Sequence, residues 1–295
     1  MEIEKVGVVG CGLMGHGITQ ICSQAGWSAV VCEVSQEKLD AGIGRIEKQL
    51  ARAVEKGRME QADAEAVRGR IQGTLDYGNL ADCDLVIEAI TEDLGAKLEM
   101  WREVDAIVKP DAVFATNTSS LSVAEQAAAT SRPERFLGLH FFNPAQVMPL
   151  LEVVRAEGTD DETATLGFEV GEKLGKTVVA AKDNRGFIVN RLLVPYMLDA
   201  IRAHEQGVGL IEDIDIGMMA GASHPMGPLT LADFVGLDTL ASIAEVMHEA
   251  YGEDRFAAPE TLTKLVAEGQ KGRKSGKGFY DYSGERPVPR DAGGS

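Results

Sequence analysis

The sequence predicts an α/β protein with a mostly parallel, doubly wound sheet in its N-terminal part, a helical hairpin insertion in that part, and an all-α C-terminal domain. Three observations carry this. A glycine-rich turn, Gly10 to Gly17, separates a short apolar run from a helical pattern. Apolar runs of strand length then alternate with helical stretches up to about residue 182. Beyond Asp183 no run of comparable quality recurs, and helical periodicity takes over. Continuous apolar strands between helices indicate a parallel sheet covered on both faces.

The first strand is Val6–Val9, and the helix after the turn runs through Ile18, Ile21 and Cys22. The turn holds a G-x-G-x-x-G in Gly10, Gly12 and Gly15. Gly10 permits the tight turn, Gly12 lets the backbone approach a pyrophosphate, and Gly15 lets the helix pack on the strand. Helix-start N–H groups then face the phosphates. A second run, Ala29–Cys32, ends in Glu33, 18 residues past Gly15. Strand, glycine turn, helix, strand and acid form the Rossmann-type dinucleotide-binding arrangement. Glu33 can accept both ribose hydroxyls and would repel a 2′-phosphate by roughly 1–4 kcal/mol. The cofactor expected is NAD rather than NADP, with FAD as the rival. Gly10, Gly12, Leu13, Met14, Gly15 and Glu33 are its candidate contacts.

The stretch from Ser35 to Gln72 exceeds one helix. With Gly57 as a break it reads as two helices projecting as a hairpin. Further strands are expected at Leu85–Ile87, Ala112–Ala115, Phe136–Leu139, Leu150–Val154 and Thr177–Ala180, with a helix at Asp160–Leu174 stopped by Gly175. The domains expected are 1–183 and 184–295. In the second, Phe187–Glu205 is a long helical run with Pro195 as a kink. Helices follow at Ile211–Ala220, Leu229–Val235, Leu240–Ala250 and Glu260–Glu268, and the tail Pro287–Ser295 is expected to be disordered.

The 295 residues are enough for two domains and a large core. Hydrophobic residues make up 44% and charged residues 25%, as in ordinary globular proteins. No apolar run approaches a membrane span and no signal peptide precedes the first strand, so the cytoplasm is the expected location. A net charge of −17 argues against nucleic acid and anionic membranes as partners. Cys11, Cys22, Cys32 and Cys83 lack a C-x-x-C and read as compact core residues in a reducing compartment, with no metal expected.

The residues suited to chemistry are few. His140 ends the run Phe136–Leu139 at the carboxyl end of an expected strand, where open α/β sheets build their sites. A histidine there can serve as general base or as a hydrogen-bonded core residue, and His224 is its competitor. Glu152 lies inside an aliphatic strand, where a carboxylate is costly unless paired; His140 is the expected partner. The turn Asn117-Thr118-Ser119-Ser120 can cap a helix near Ser122, or bind a substrate hydroxyl or the nicotinamide. Asn190, within a helical apolar run, needs a partner from ligand or protein. Arg45, Lys48, Arg52 and Lys56 share one helical face, either a solvated face or a docking face for a phosphorylated substrate. The basic loop Lys271–Gly278 is expected to be flexible and able to close over an anionic ligand.

These blocks together resemble the short-chain L-3-hydroxyacyl-CoA dehydrogenases, most closely the bacterial 3-hydroxybutyryl-CoA dehydrogenases. The similarity runs from GCGLMGHG through DLVIEAI, NTSSLS, GLHFFNPAQVMPLLEVV, GFIVNRLL and HPMGPLTLADFVGLD to GRKSGKGFYDYS. It implies a reversible oxidation of a short-chain (S)-3-hydroxyacyl-CoA to the 3-ketoacyl-CoA. His140 is then the catalytic base and Glu152 its partner, with Ser119 on the reacting hydroxyl and Asn190 positioning the substrate. It further implies NAD contacts at Glu33, Glu92, Lys97, Asn117, Asn143 and Lys274, CoA phosphates near Arg52 and Lys56, and a homodimer. His16 stands where the family carries a small residue, and Gly95 interrupts the helix near Glu92 and Lys97. Two other readings compete: a dehydrogenase of free hydroxy acids, like the gulonate and lambda-crystallin branch, and an NAD-binding protein without turnover.

Overall fold

A computed structural model of the chain describes residues 1–290. It divides into two compact units, Met1–Phe187 and Ile188–Ser295. The first unit runs β1 (Lys5–Val9), α1 (Gly15–Gln24), β2 (Ser28–Cys32), α2 (Gln36–Glu55), α3 (Gln61–Gly69), β3 (Ile71–Thr74) and β4 (Leu85–Glu88). It continues with α4 (Leu94–Asp105), β5 (Val113–Thr116), α5 (Val123–Ala127), β6 (Phe136–Phe141), β7 (Leu150–Arg155), α6 (Asp161–Lys173) and β8 (Thr177–Lys182). The eight strands form one sheet in the order β3-β2-β1-β4-β5-β6-β7-β8. Strands β1 to β6 are parallel, while β7 lies antiparallel to β6 and parallel to β8.

The order reverses between β1 and β4, which makes their carboxyl ends the binding crevice of a doubly wound sheet. Alternation along each strand divides two apolar layers. Val6 and Val8 of β1, with Leu85 and Ile87 of β4, join one cluster with residues of α1, α2, α3 and α6. Val9 and Val86 join the other, with Met100, Trp101 and Val104 of α4, Val123 of α5, and Phe114 and Phe136. Trp101 is its centre, 5.1 Å from the Phe114 ring and 4.8 Å from Phe136.

Two expectations change on contact with the fold. The stretch after α3 contributes an edge strand, β3, of which only Ile71 is buried; a single apolar residue gives no strand signal. The hairpin of α2 and α3 lies against the core, through Leu39, Ile46, Leu50, Ala64 and Val67. A Cβ on Gly42 of α2 would come within 2.4 Å of the Cys11 carbonyl oxygen, so α2 passes directly over the glycine turn. Near the expected boundary the first compact unit runs on to Phe187. Asp183 accepts from Ser122 Oγ and from the Val123 and Ala124 N–H groups at the start of α5, and Phe187 is buried in the first unit's core.

The second unit contains α7 (Val189–Glu205), α8 (Ile211–Ile216), α9 (Pro228–Val235), α10 (Leu237–Tyr251) and α11 (Glu260–Ala267). Pro195 lies inside α7 as expected, and Gly217–Gly221 continues α8 as a π-helical turn. The unit is not wholly helical. Strands β9 (Tyr280–Asp281) and β10 (Val288–Pro289) pair antiparallel, so the expected disorder does not begin at Pro287. The last part of that tail, 291–295, lies outside the described residues.

Two buried carboxylates organise this unit. Asp215 accepts from the Leu229 and Thr230 N–H groups at the start of α9, and from the hydroxyls of Thr230 and Tyr280. Asp233 accepts from the Phe279 and Tyr280 N–H groups at 3.0 and 2.9 Å and from Tyr282 Oη at 3.0 Å. A Cβ on Gly278 would lie 1.8 Å from an Asp233 oxygen, so only glycine admits this approach. The segment Lys271–Gly278 is thereby ordered: Gly272 N–H donates to the Lys277 carbonyl at 2.8 Å.

Burial pushes the Asp233 carboxyl up to about 6, with nearby Asp215 adding to the rise and the donors from Tyr280, Phe279 and Tyr282 restraining it. The folded state therefore holds this proton more tightly than the unfolded chain, whose aspartate titrates near 3.8. The stability this adds at low pH is lost as pH rises from about 4 through about 6. Relative to Asp233→Asn, the wild-type protein should lose roughly 2–3 kcal/mol between about pH 4 and about pH 7. Urea melts of both proteins across that window check this, and a gap that does not change with pH would refute it.

Candidate active site

The glycine turn has the geometry of a dinucleotide cradle. Gly10 sits at φ 98°, in the left-handed region, and a Cβ there would meet the Ala89 carbonyl oxygen at 2.6 Å. A Cβ on Gly15 would strike the Gly10 carbonyl oxygen at 1.8 Å, so α1 packs directly on the turn. Gly12 has no neighbour within 4 Å of its would-be Cβ, which leaves an open approach. Helix α1 follows Met14 without a side-chain cap, so its first N–H groups remain for an anion. Leu13 is 67% exposed on the rim. At the end of β2, Glu33 accepts from Cys11 N–H at 3.0 Å and Val34 N–H at 2.8 Å, which places its carboxylate beside the turn. His16 reaches back to the Gly12 carbonyl at 2.6 Å and meets Gln49 of α2 at 3.2 Å. These residues fit a dinucleotide.

At the end of β4 stands a residue that sequence reasoning missed. Glu88 is fully buried. It accepts from Lys97 Nζ at 2.7 and 2.8 Å, Thr116 Oγ1 at 2.6 Å and Ile90 N–H at 2.7 Å. Lys97 is only 1% exposed and also reaches Glu92 at 3.1 Å. Its ammonium is therefore directed at two carboxylates and not at the surface. The signal for Glu88 was the one used for Glu152, an acid closing an aliphatic strand, Leu85-Val86-Ile87-Glu88.

Glu92 is the outer member of this cluster, its side chain 36% exposed. One of its oxygens collects Thr118 Oγ1 at 2.6 Å, Ser119 N–H at 2.8 Å, Ser120 N–H at 3.1 Å, and the Ser119 and Ser120 hydroxyls at 3.2 Å. Burial opposes its ionisation, but the Lys97 charge and the donors from Thr118 and Ser119 outweigh that and hold the carboxyl down at about 2. The hydroxyl turn thus serves Glu92, while the cap of α5 is Ser122, accepting from Glu125 N–H. Asn117 accepts from Phe141 N–H at 2.9 Å and ties the ends of β5 and β6 together.

The antiparallel register of β6 and β7 sets His140 opposite Glu152. His140 Nδ1 lies 2.5 Å from Glu152 Oε2, with both side chains buried. A carboxylate only accepts, so the contact assigns the proton to Nδ1 and leaves the Nε2 lone pair as a base. The rings of Phe142 and Phe187 flank the imidazole at 4.5 and 5.4 Å. Asn143, next along the chain, is exposed at the same strand end. His224, the competitor, faces Tyr196 Oη at 2.8 Å, a neutral hydroxyl in place of a carboxylate.

The first unit therefore gathers Glu33, Glu92, Asn117, Ser119, His140 and Asn143 at the carboxyl ends of its parallel strands, with Glu152 reaching the same edge from the antiparallel β7. Asn190 and Lys274 belong to the second unit, with Asn190 half-buried in the first turn of α7. Lys274 is 48% exposed and bridges to Asp238 at 2.5 Å. On α2, Arg45, Lys48, Arg52 and Lys56 are exposed. No ion pair engages them among the described residues, and no group of potential metal ligands occurs there either.

Comparison with known proteins settles the family. Residues 5–184 match the NAD-binding domain of the 3-hydroxyacyl-CoA dehydrogenases, and residues 186–282 match the C-terminal domain of that family. This chain belongs to the 3-hydroxyacyl-CoA dehydrogenase family. Its dinucleotide is NAD, and FAD is set aside. A probable 3-hydroxybutyryl-CoA dehydrogenase of Deinococcus radiodurans is 48% identical, over 94% of this chain and 100% of that protein. The 3-hydroxybutyryl-CoA dehydrogenase of Mycobacterium tuberculosis is 48% identical, over 95% and 99% of the two chains. The crystal structure of the (S)-3-hydroxybutyryl-CoA dehydrogenase from Ralstonia eutropha superposes with a TM-score of 0.93 at 38% identity, over 96% of this chain and 100% of that one.

Open space at Gly12 and close contact at Gly15 separate binding from folding. Gly12→Ala should keep the wild-type melting temperature and lose at least about tenfold in NADH affinity, because the new methyl intrudes only on the ligand. Gly15→Ala should fail to fold stably. Thermal melts and NADH fluorescence titrations check both, and a destabilised Gly12→Ala with normal affinity would contradict the assignment.

Proposed function

We propose that this protein interconverts (S)-3-hydroxybutyryl-CoA and acetoacetyl-CoA with NAD, as the general acid/base enzyme of a cytoplasmic homodimer. The observation that carries the reading is the His140–Glu152 pair, a buried imidazole with its Nδ1 proton held by a carboxylate at 2.5 Å. Nε2 takes the proton of the 3-hydroxyl in oxidation and returns it to the forming alkoxide in reduction. Glu152 keeps the ring in one tautomer and stabilises the imidazolium while it carries the extra proton. Bound NAD supplies the two-electron acceptor or donor at C3. Ser119 meets the reacting oxygen, and Asn190 has the substrate-positioning role that the family resemblance implies.

Glu33 selects the unphosphorylated ribose, while Glu92, Asn117, Asn143 and Lys274 serve the remainder of the cofactor. Lys97 acts on the cofactor through Glu92. The unpaired basic face of α2, with Arg52 and Lys56 at its C-terminal end, is suited to the CoA phosphates in a chain of net charge −17. All four cysteines are free and buried, in keeping with a reducing compartment. The coexistence of His140, Glu152 and Ser119 at adjoining strand ends favours turnover over cofactor binding alone.

With NADH present, acetoacetyl-CoA should be reduced rapidly and free acetoacetate should not. Activity on the free acid alone would move the protein to the hydroxy-acid branch. In His140→Gln, kcat should fall by roughly 10²–10⁴-fold with NADH affinity unchanged. In Glu152→Gln, kcat should fall at least about tenfold and its pH dependence should change. A wild-type pH profile in that variant would reduce Glu152 to a structural part.

A further inference from the structure

The cluster below the hydroxyl turn has a charge that its members do not cancel. Glu88 and Glu92 are two carboxylates sharing the single ammonium of Lys97, at 2.7 and 3.1 Å. Thr116, Thr118, Ser119 and Ser120 add only neutral donors. Arg185 touches the Ser120 carbonyl at 3.4 Å and is matched by Glu125 at 2.9 Å. One surplus negative charge therefore remains at the ends of β4 and β5, and the Glu92 carboxylate presents it outward.

That position has a meaning in a doubly wound sheet. Glu33 at the end of β2 marks the adenosine half of the crevice, so the nicotinamide half lies over β4 to β6. The oxidised nicotinamide is a pyridinium cation and the reduced ring is neutral. A fixed negative charge in a partly buried site favours the former over the latter. The inference rests on the NAD reading above and goes beyond it.

We propose that Glu88 is a positioning residue that sets the redox preference of the cofactor site. Through Lys97 it keeps a surplus negative charge beside the nicotinamide and so raises the affinity for NAD+ relative to NADH. Lys97 alone would neutralise Glu92. Glu88, buried and saturated with donors, draws that ammonium inward and leaves the net charge at minus one. Because Glu88 touches no ligand, its effect is on the ratio of the two affinities and not on binding as such.

Charge arithmetic supplies the test. In Glu88→Gln the cluster becomes neutral, and NAD+ should lose roughly fivefold in affinity relative to NADH. The double variant Glu88→Gln/Lys97→Gln regains minus one and leaves no unpaired buried cation. Its ratio should return to the wild-type value. The dissociation constants are read by NADH fluorescence and by NAD+ competition, with melting temperatures alongside. An unchanged ratio in Glu88→Gln overturns the proposal. So does a double variant as shifted as the single one, since geometry rather than charge would then be the cause. Equal loss of both nucleotides would make Glu88 merely structural. A wild-type protein that binds neither nucleotide would instead remove the NAD reading itself.

Discussion

Carboxylates taken out of water govern how this protein is built. Glu88, Glu152, Asp215 and Asp233 are at most 3% exposed. Each ion removed from solvent costs several kcal/mol unless it is met by charge or by a full set of donors. The chain meets each one differently. Glu88 has an ammonium, a hydroxyl and a backbone N–H. Glu152 has the imidazole of His140. Asp215 and Asp233 have backbone N–H groups and tyrosine hydroxyls. Those partners come from different elements, so satisfying one carboxylate ties two or three elements together at once.

In the first unit the same constraint shapes the site. The donor that satisfies Glu152 is the group expected to do the chemistry, and a misregistered β7 would both orphan a buried charge and release the imidazole. The donor that satisfies Glu88 holds the acid that orders the hydroxyl turn. Stability and preorganisation are thus carried by the same contacts. In the second unit the constraint is structural. Asp215 anchors the start of α9, and Asp233 anchors the segment from Gly272 to Tyr282 that carries Lys274.

Local sequence was a good guide wherever one residue's own conformation decided the outcome. The apolar runs became strands, Gly57 broke the hairpin, and Gly10 adopted the positive φ that its place in the turn requires. Asp183 and Phe187 show contacts that this guide does not see. At the expected domain boundary, Asp183 binds the start of α5 and Phe187 is buried near His140. Neither contact leaves a periodic trace. In Lys271–Gly278, Gly272 and Gly278 serve close approach to Asp233, a contact that no local pattern announces.

The sequence by itself determined the doubly wound sheet, the nucleotide turn, the acid at the end of β2, and the pairing of His140 with Glu152. Each follows from short-range spacing or from the cost of burying a lone charge in an apolar strand. Only the tertiary structure decided how Lys97 divides its charge between Glu88 and Glu92, that the hydroxyl turn serves Glu92 while Ser122 and Asp183 cap α5, and that α2 lies on the glycine turn. Those outcomes depend on which groups the folded chain brings within 3 Å of one another. Electrostatic partnership at that range is set by packing, which a linear pattern of residue types does not encode.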